Sequence, residues 1–338
     1  MHAFEKLFLI AICMILNLFR ANELVDIESH FFEAAISGDI DSAVEILNLV
    51  KNIDIVDKFH RSVIHVAVEH GHKSFVQGLA RYRPNVNIAD VGGWTPLMIA
   101  AFHSKTDFIA LLISMGANID AKLKSGSTAL HIASAEEGDK KMCEELVAHG
   151  ANVNTKNNEG WTPFLLALDG GHYSIARFFL ENGADLATRS SDGKNALHFV
   201  LDNFLPIDDE IGLAKQIVEL GGDVHAKSKL GFTPLFSAVI KNKLEIAEYL
   251  LQKGAQVNET AGDGWTPLHY AANHNHLNMV KLLLRHGALL DAKTVKHKKS
   301  AADVAMGKRY LELAAFLNSD AAQDLSLSNI TSTSKEEL

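Results

Sequence analysis

Apolar positions between residues 57 and 318 follow a two-part pattern rather than one steady period. In the stretch from Gly93 to Lys122, a tight cluster of Leu97, Ala100 and Ala101 comes directly after Thr95-Pro96. Phe108, Ile109, Leu111 and Leu112 then form an apolar stripe at helical spacing. Thr95 is a good helix cap, and Pro96 fits a first helical position, where its missing N–H is no loss. Gly116 supplies the left-handed residue that ends the second helix. Asn118-Ile119-Asp120-Ala121 then leads through an extended turn into the next stretch. The pattern predicts a short helix of about two turns, a second helix, and a turn. One such unit cannot bury its own apolar face, but stacked neighbours can.

The pattern recurs. Gly93-Trp94-Thr95-Pro96-Leu97 returns as Gly160-Trp161-Thr162-Pro163-Phe164, Gly231-Phe232-Thr233-Pro234-Leu235 and Gly264-Trp265-Thr266-Pro267-Leu268. Weaker copies start at His60, Gly126 and Gly193, and the steps between copies are 33, 33, 34, 33, 38 and 33 residues. A Gly-Ala pair or its relative closes six copies, at Gly116, Gly150, Gly183, Gly221, Gly254 and Gly287.

These residues resemble the ankyrin repeat, whose Thr-Pro-Leu-His-x-Ala stretch is intact at Thr266–Ala271 and partial at Thr128–Ala133. The resemblance covers residues 27–318 and implies an all-α fold, a solenoid of stacked helix-turn-helix units with projecting hairpin loops. Seven units are expected at 57–89, 90–122, 123–156, 157–189, 190–227, 228–260 and 261–293, with an N-terminal capping repeat at 22–56 and a C-terminal one at 294–318. The caps cover apolar surface that an open stack would leave exposed. At roughly 150 residues per domain, 338 residues alone suggest two domains; the repeat instead predicts one cooperative array.

The two ends depart from the repeat. Leu7–Phe19 is thirteen residues without a charge, behind Lys6. That is about 20 Å of helix, short of a ~30 Å bilayer core, and it fits a secretory signal peptide over 1–21. An uncleaved membrane anchor and a buried first helix are the other readings. Residues 319–338 are expected to be a disordered tail rich in Ser, Thr and Glu. The tail carries a glycosylation sequon at Asn329, and a second lies at Asn258 in a tight inter-repeat hairpin. The last residues, Lys335-Glu336-Glu337-Leu338, are similar to a Lys-Asp-Glu-Leu retention signal. Together the ends point to the secretory pathway and the lumen of the endoplasmic reticulum. A secreted effector of an intracellular bacterium, binding a host protein, and a membrane-tethered adaptor fit the same sequence.

Composition narrows the chemistry. With 32 basic and 41 acidic residues, the net charge of −9 excludes a general nucleic-acid binder. Cys13 and Cys143 cannot build a disulfide scaffold or a cysteine-rich zinc site. No phosphate-binding loop, metalloprotease or nucleophile-elbow pattern occurs, so no enzyme, cofactor or metal is expected. His65, His131, His198 and His269 occupy the repeat's own histidine position, which ties neighbouring turns together in the family. Lys296-His297-Lys298-Lys299 reads as a solvated basic loop and Asp202–Gly212 as an insertion between two helices. The expected ligand is a protein, bound by a monomer through hairpin tips and first-helix ends; a membrane enters only if the N-terminal segment is retained. The resemblance places the tip aromatics Trp94, Trp161, Phe232 and Trp265 on that surface, with Phe102, His103, Asp169, Lys241 and His274 at the helix ends. The helix-end residues show no single-sign field in the sequence.

Overall fold

The computed structural model describes residues 27–50, 52–135, 138–202, 207–262 and 264–327; side chains at 50, 207–210 and 327 lie outside that description. The fold is an all-α repeat solenoid, and among the described residues there is no strand, only an isolated bridge between Val56 and Ser62. Two compact units divide the chain, one ending at Asn158 and the other beginning at Glu159.

The first unit contains α1 (residues 27–37), α2 (Ile40–Val50), α3 (Val63–His70), α4 (Lys73–Leu79), α5 (Pro96–Phe102), α6 (Ile109–Ser114), α7 (Ala129–Ser134) and α8 (Lys140–Ala148). The first helices α3, α5 and α7 pack side by side as one layer, and the second helices lie behind them. Thr95 caps α5 by accepting the Met98 N–H at 3.4 Å, with Pro96 at the first position. Leu97, Ala100 and Ala101 are buried, and Phe108, Ile109 and Leu112 are buried against them. Alanine at the inner positions lets adjacent short helices approach closely, while the larger residues fill the space between layers.

The second unit contains α9 (Pro163–Asp169), α10 (Tyr173–Glu181), α11 (Ala196–Asp202), α12 (Ile207–Glu219), α13 (Pro234–Ile240), α14 (Leu244–Gln252), α15 (Pro267–Asn273), α16 (Leu277–Arg285), α17 (Ala301–Gly307), α18 (Leu311–Leu317) and α19 (Asp320–Leu327). Its inner layer is α9, α11, α13, α15 and α17, and its outer layer is α10, α12, α14 and α16. The turns between repeats hydrogen-bond in series: Ser191 N–H to Glu159 O, Lys229 N–H to Asp192 O, and Gly262 N–H to Leu230 O, at 2.7–3.2 Å.

Two expectations shift. The insertion is not simply a loop interruption, because α12 has 13 residues where α10 and α14 have nine. Residues 207–210 of the insertion therefore stand at the start of a helix. Residues 203–206 of that insertion lie outside the described residues. The tail expected from 319 is helical where it is described, since α19 packs on α16 and α18. Ala322 is fully buried there, and Ser326 Oγ donates to Ala288 O at 3.2 Å. Asn329 and Lys335–Leu338 lie outside the described residues, as does the 1–21 segment. Among the described residues no helix is long and apolar enough to cross a membrane.

Candidate functional site

The inner surface is fixed first by its histidines. At His65, the ring Nδ1 accepts the Ser62 backbone N–H at 3.0 Å, and Nε2 donates to Trp94 O of the next repeat at 3.1 Å. His198 repeats the arrangement with Asn195 N–H and Phe232 O, and His269 with Thr266 N–H and Lys299 O. Burial holds His65 and His198 below the ordinary histidine range. Their role is to anchor the backbone at the tip position of the following repeat. Among the described residues no cluster of three metal-binding side chains is present.

The aromatic tips do not simply project. Trp94, Trp161, Phe232 and Trp265 are all half-buried. Trp161 packs on Phe199 of the next repeat, with ring centroids 4.9 Å apart. Phe232 and Trp265 converge on Tyr270 at 5.5 and 5.0 Å. Ile132, Phe199 and Tyr270 each stand 38 residues after the tip aromatic of the preceding repeat, Trp94, Trp161 or Phe232. That recurring offset is a sequence signal that reading each repeat alone does not register.

In the first unit the same positions frame a groove of about 850 Å³. Trp94, Phe102 and Ile132 line its apolar side, and Gly138, Asp139 and Lys141 its other side. Phe102 is 59% exposed, edge-on to Trp94 at 5.5 Å and to His103 at 5.1 Å. The groove has a local cause. In other repeats a long side chain just before the second helix reaches the end of the preceding first helix. His72 donates to Ile36 O at 2.8 Å, Lys243 to Leu201 O at 2.7 Å and His276 to Val239 O at 3.1 Å. Asp139 holds that register position before α8, and its short carboxylate caps its own helix instead, accepting the Met142 N–H at 3.0 Å.

The remaining sequence candidates are distributed along the second unit. Asp169 and His274 are exposed at the ends of α9 and α15, and Lys241 is half-buried at the end of α13. His274 stacks on His276 at 5.5 Å. Asn258 is exposed, yet Nδ2 donates to Gly287 O at 2.9 Å and Oδ1 accepts Leu289 N–H at 3.0 Å. Asn87 makes the equivalent pair with Gly116 O and Asn118 N–H. The sequon nitrogen at Asn258 thus belongs to the inter-repeat turn. Cys143 is fully buried 3.7 Å from Ser134 Oγ, and burial pushes its thiol up to about 12, which leaves it unreactive at neutral pH.

The family profile described as Ankyrin repeats (3 copies) matches residues 31–123, 119–190, 208–294 and 259–329. The chain belongs to the ankyrin-repeat family. Its ankyrin array is 26% identical over 218 residues to the nuclear factor NF-kappa-B p105 subunit of Gallus gallus, covering 61% of this chain and 21% of that protein. It is 32% identical over 188 residues to the ankyrin repeat and SOCS box protein 3 of Homo sapiens, covering 54% and 35%. Similarity to the ankyrin repeat protein YahD of Escherichia coli (strain K12) is 28% over 178 residues, covering 51% and 88%. The chain spans about a fifth of the p105 subunit's length, so the likeness is one of repeats rather than of whole proteins. Ankyrin-repeat proteins generally mediate protein–protein interaction and are generally non-catalytic.

Proposed function

We infer that this ankyrin chain is a non-catalytic scaffold that binds a protein partner through its inner surface. The groove beside Phe102 carries the reading. An aromatic ring left 59% exposed next to Trp94, in a groove bordered by Gly138 and Asp139, is apolar surface of the kind that marks recognition sites. Trp161, Phe232 and Trp265 support the surface by holding successive repeats in register, and contribute only their exposed edges. Because Phe102 is solvent-facing, Phe102→Ala should leave the fold intact and lower partner capture about tenfold or more. Trp161→Ala, by contrast, should destabilise the second unit by on the order of 2 kcal/mol through loss of its packing on Phe199.

We place the protein in the secretory pathway on its ends alone: the apolar run Leu7–Phe19 and the Lys335–Leu338 sequence support export and lumenal retention. N-terminal sequencing of the mature protein tests the first. A chain beginning near Asn22 supports export; retention of Met1–Phe19 favours the tethered adaptor instead. Proximity labelling in the native cell then reports compartment and partner together, and labelling confined to cytosolic proteins would contradict the lumenal reading.

A further inference from the structure

The first-helix ends of the second unit change sign along the stack. Asp169 and Asp202 end α9 and α11, and Asp202 is held by Lys194 at 2.6 Å. The next three turns, residues 240–243, 273–276 and 307–310, hold Lys241, Lys243, His274, His276, Lys308 and Arg309, and no carboxylate. Packing brings these turns side by side: α13 lies against α15 and α15 against α17, and His276 reaches back to Val239 O at 3.1 Å. His274 sits below the ordinary histidine range, through burial first and then the neighbouring charges of His276 and Lys308. A chain of net charge −9 thus gathers a cationic edge that no single repeat displays.

Helix capping explains part of this edge. Lys241 and Lys308 follow the last residues of two short helices, where positive charge suits the dipole. Arg309 is not explained that way. It holds φ 66, at a register position filled elsewhere by Gly71, Ser104, Gly138, Gly171, Asn242 and Asn275. A long cation in left-handed backbone is locally unfavourable, so its presence extends the charge at a cost to the turn. Beside the cations stand exposed aliphatic side chains: Leu277 at 40%, Met306 at 52% and Leu311 at 62%.

We propose that this edge docks an acidic, leucine-rich peptide segment of the protein partner, its carboxylates on Lys241, Lys308 and Arg309 and its aliphatic groups on Leu277, Met306 and Leu311. A free phosphate would leave the aliphatic residues unused. A membrane surface or a long nucleic acid would extend over the acidic helix ends at Asp169 and Asp202 and be repelled there. The proposal rests on the protein-binding reading and names the chemistry of the partner at one end of the array.

The test uses the full chain and a fluorescein-labelled peptide of alternating glutamate and leucine, followed by anisotropy. Glutamine–leucine and lysine–leucine peptides, phosphatidylserine vesicles and polyphosphate serve as comparators. The glutamate peptide should bind most tightly and weaken as salt rises. Lys241→Glu with Lys308→Glu should reduce its affinity by about tenfold or more, and the milder Lys241→Gln with Lys308→Gln by less. Circular dichroism checks the fold of each variant; if the glutamate pair fails to fold, the glutamine pair decides. Equal binding of the glutamine peptide, tighter binding of vesicles or polyphosphate, or affinity unchanged in folded variants would overturn the proposal. If the peptide fails while Phe102-dependent partner capture persists, the acidic class alone is wrong. Loss of both overturns the protein-binding reading as well.

Discussion

Gly264 and Gly287 have nearly the same backbone, φ 81 and 84, but different surroundings. A Cβ on Gly287 would meet nothing within 4 Å, whereas one on Gly264 would fall 2.9 Å from Val295 N and 2.6 Å from Val295 Cγ2. Gly287→Ala should therefore cost about 1–2 kcal/mol, from left-handed backbone alone. Gly264→Ala should cost clearly more, because the hairpin of the following repeat must move. Urea denaturation of the two variants checks the ranking, and equal losses would refute the steric account. The buried histidines add a pH dependence. A ring held below its ordinary range binds a proton more readily unfolded, so its contribution is present above ~6.5 and is lost as pH falls from there towards the folded value. His65 and His198 both act in this sense. The denaturation midpoint should drop between pH of about 7.5 and 5.5, and His65→Gln with His198→Gln should flatten that drop. The depressed carboxyls of Asp39, Asp57 and Asp303 act at lower pH, as they protonate below about 4.

At the scale of elements, most helices were legible because their signals are local. A Thr-Pro start, an alanine-rich inner face and a closing glycine each act within one repeat. Two elements lacked such signals. The start of α12 reads in the sequence as an acidic insertion rather than an apolar stripe. α19, Asp-Ala-Ala-Gln-Asp-Leu-Ser-Leu, has no Thr-Pro start, and Ala322, too small to mark an apolar face, is what it buries completely. Truncation after Asn318 should therefore destabilise the C-terminal repeats measurably, by uncovering α16. Unchanged thermal unfolding of the truncated chain would make α19 a mere appendage. The candidate surface was partly legible for the same reason. Trp94, Phe102 and His103 come together within one repeat, whereas Phe199 and Tyr270 find their ring partners 38 residues away, and the cationic edge needs three repeats in register.

For the whole molecule, alternate repeats carry the same histidine position, at His65, His131, His198 and His269, and the proposed function lies in departures from the regular pattern. Asp139, which caps α8 instead of reaching across, borders a groove in one unit, and Lys308 with Arg309 completes a charged edge in the other. Site-specific photocrosslinking tests this most directly. A photoreactive side chain is placed at Phe102 on the inner surface, or at Leu49, 70% exposed on α2, as the control. In the native cell, position 102 should capture a discrete partner that position 49 does not. Capture of the same partner from Leu49 and not from Phe102 would contradict the account.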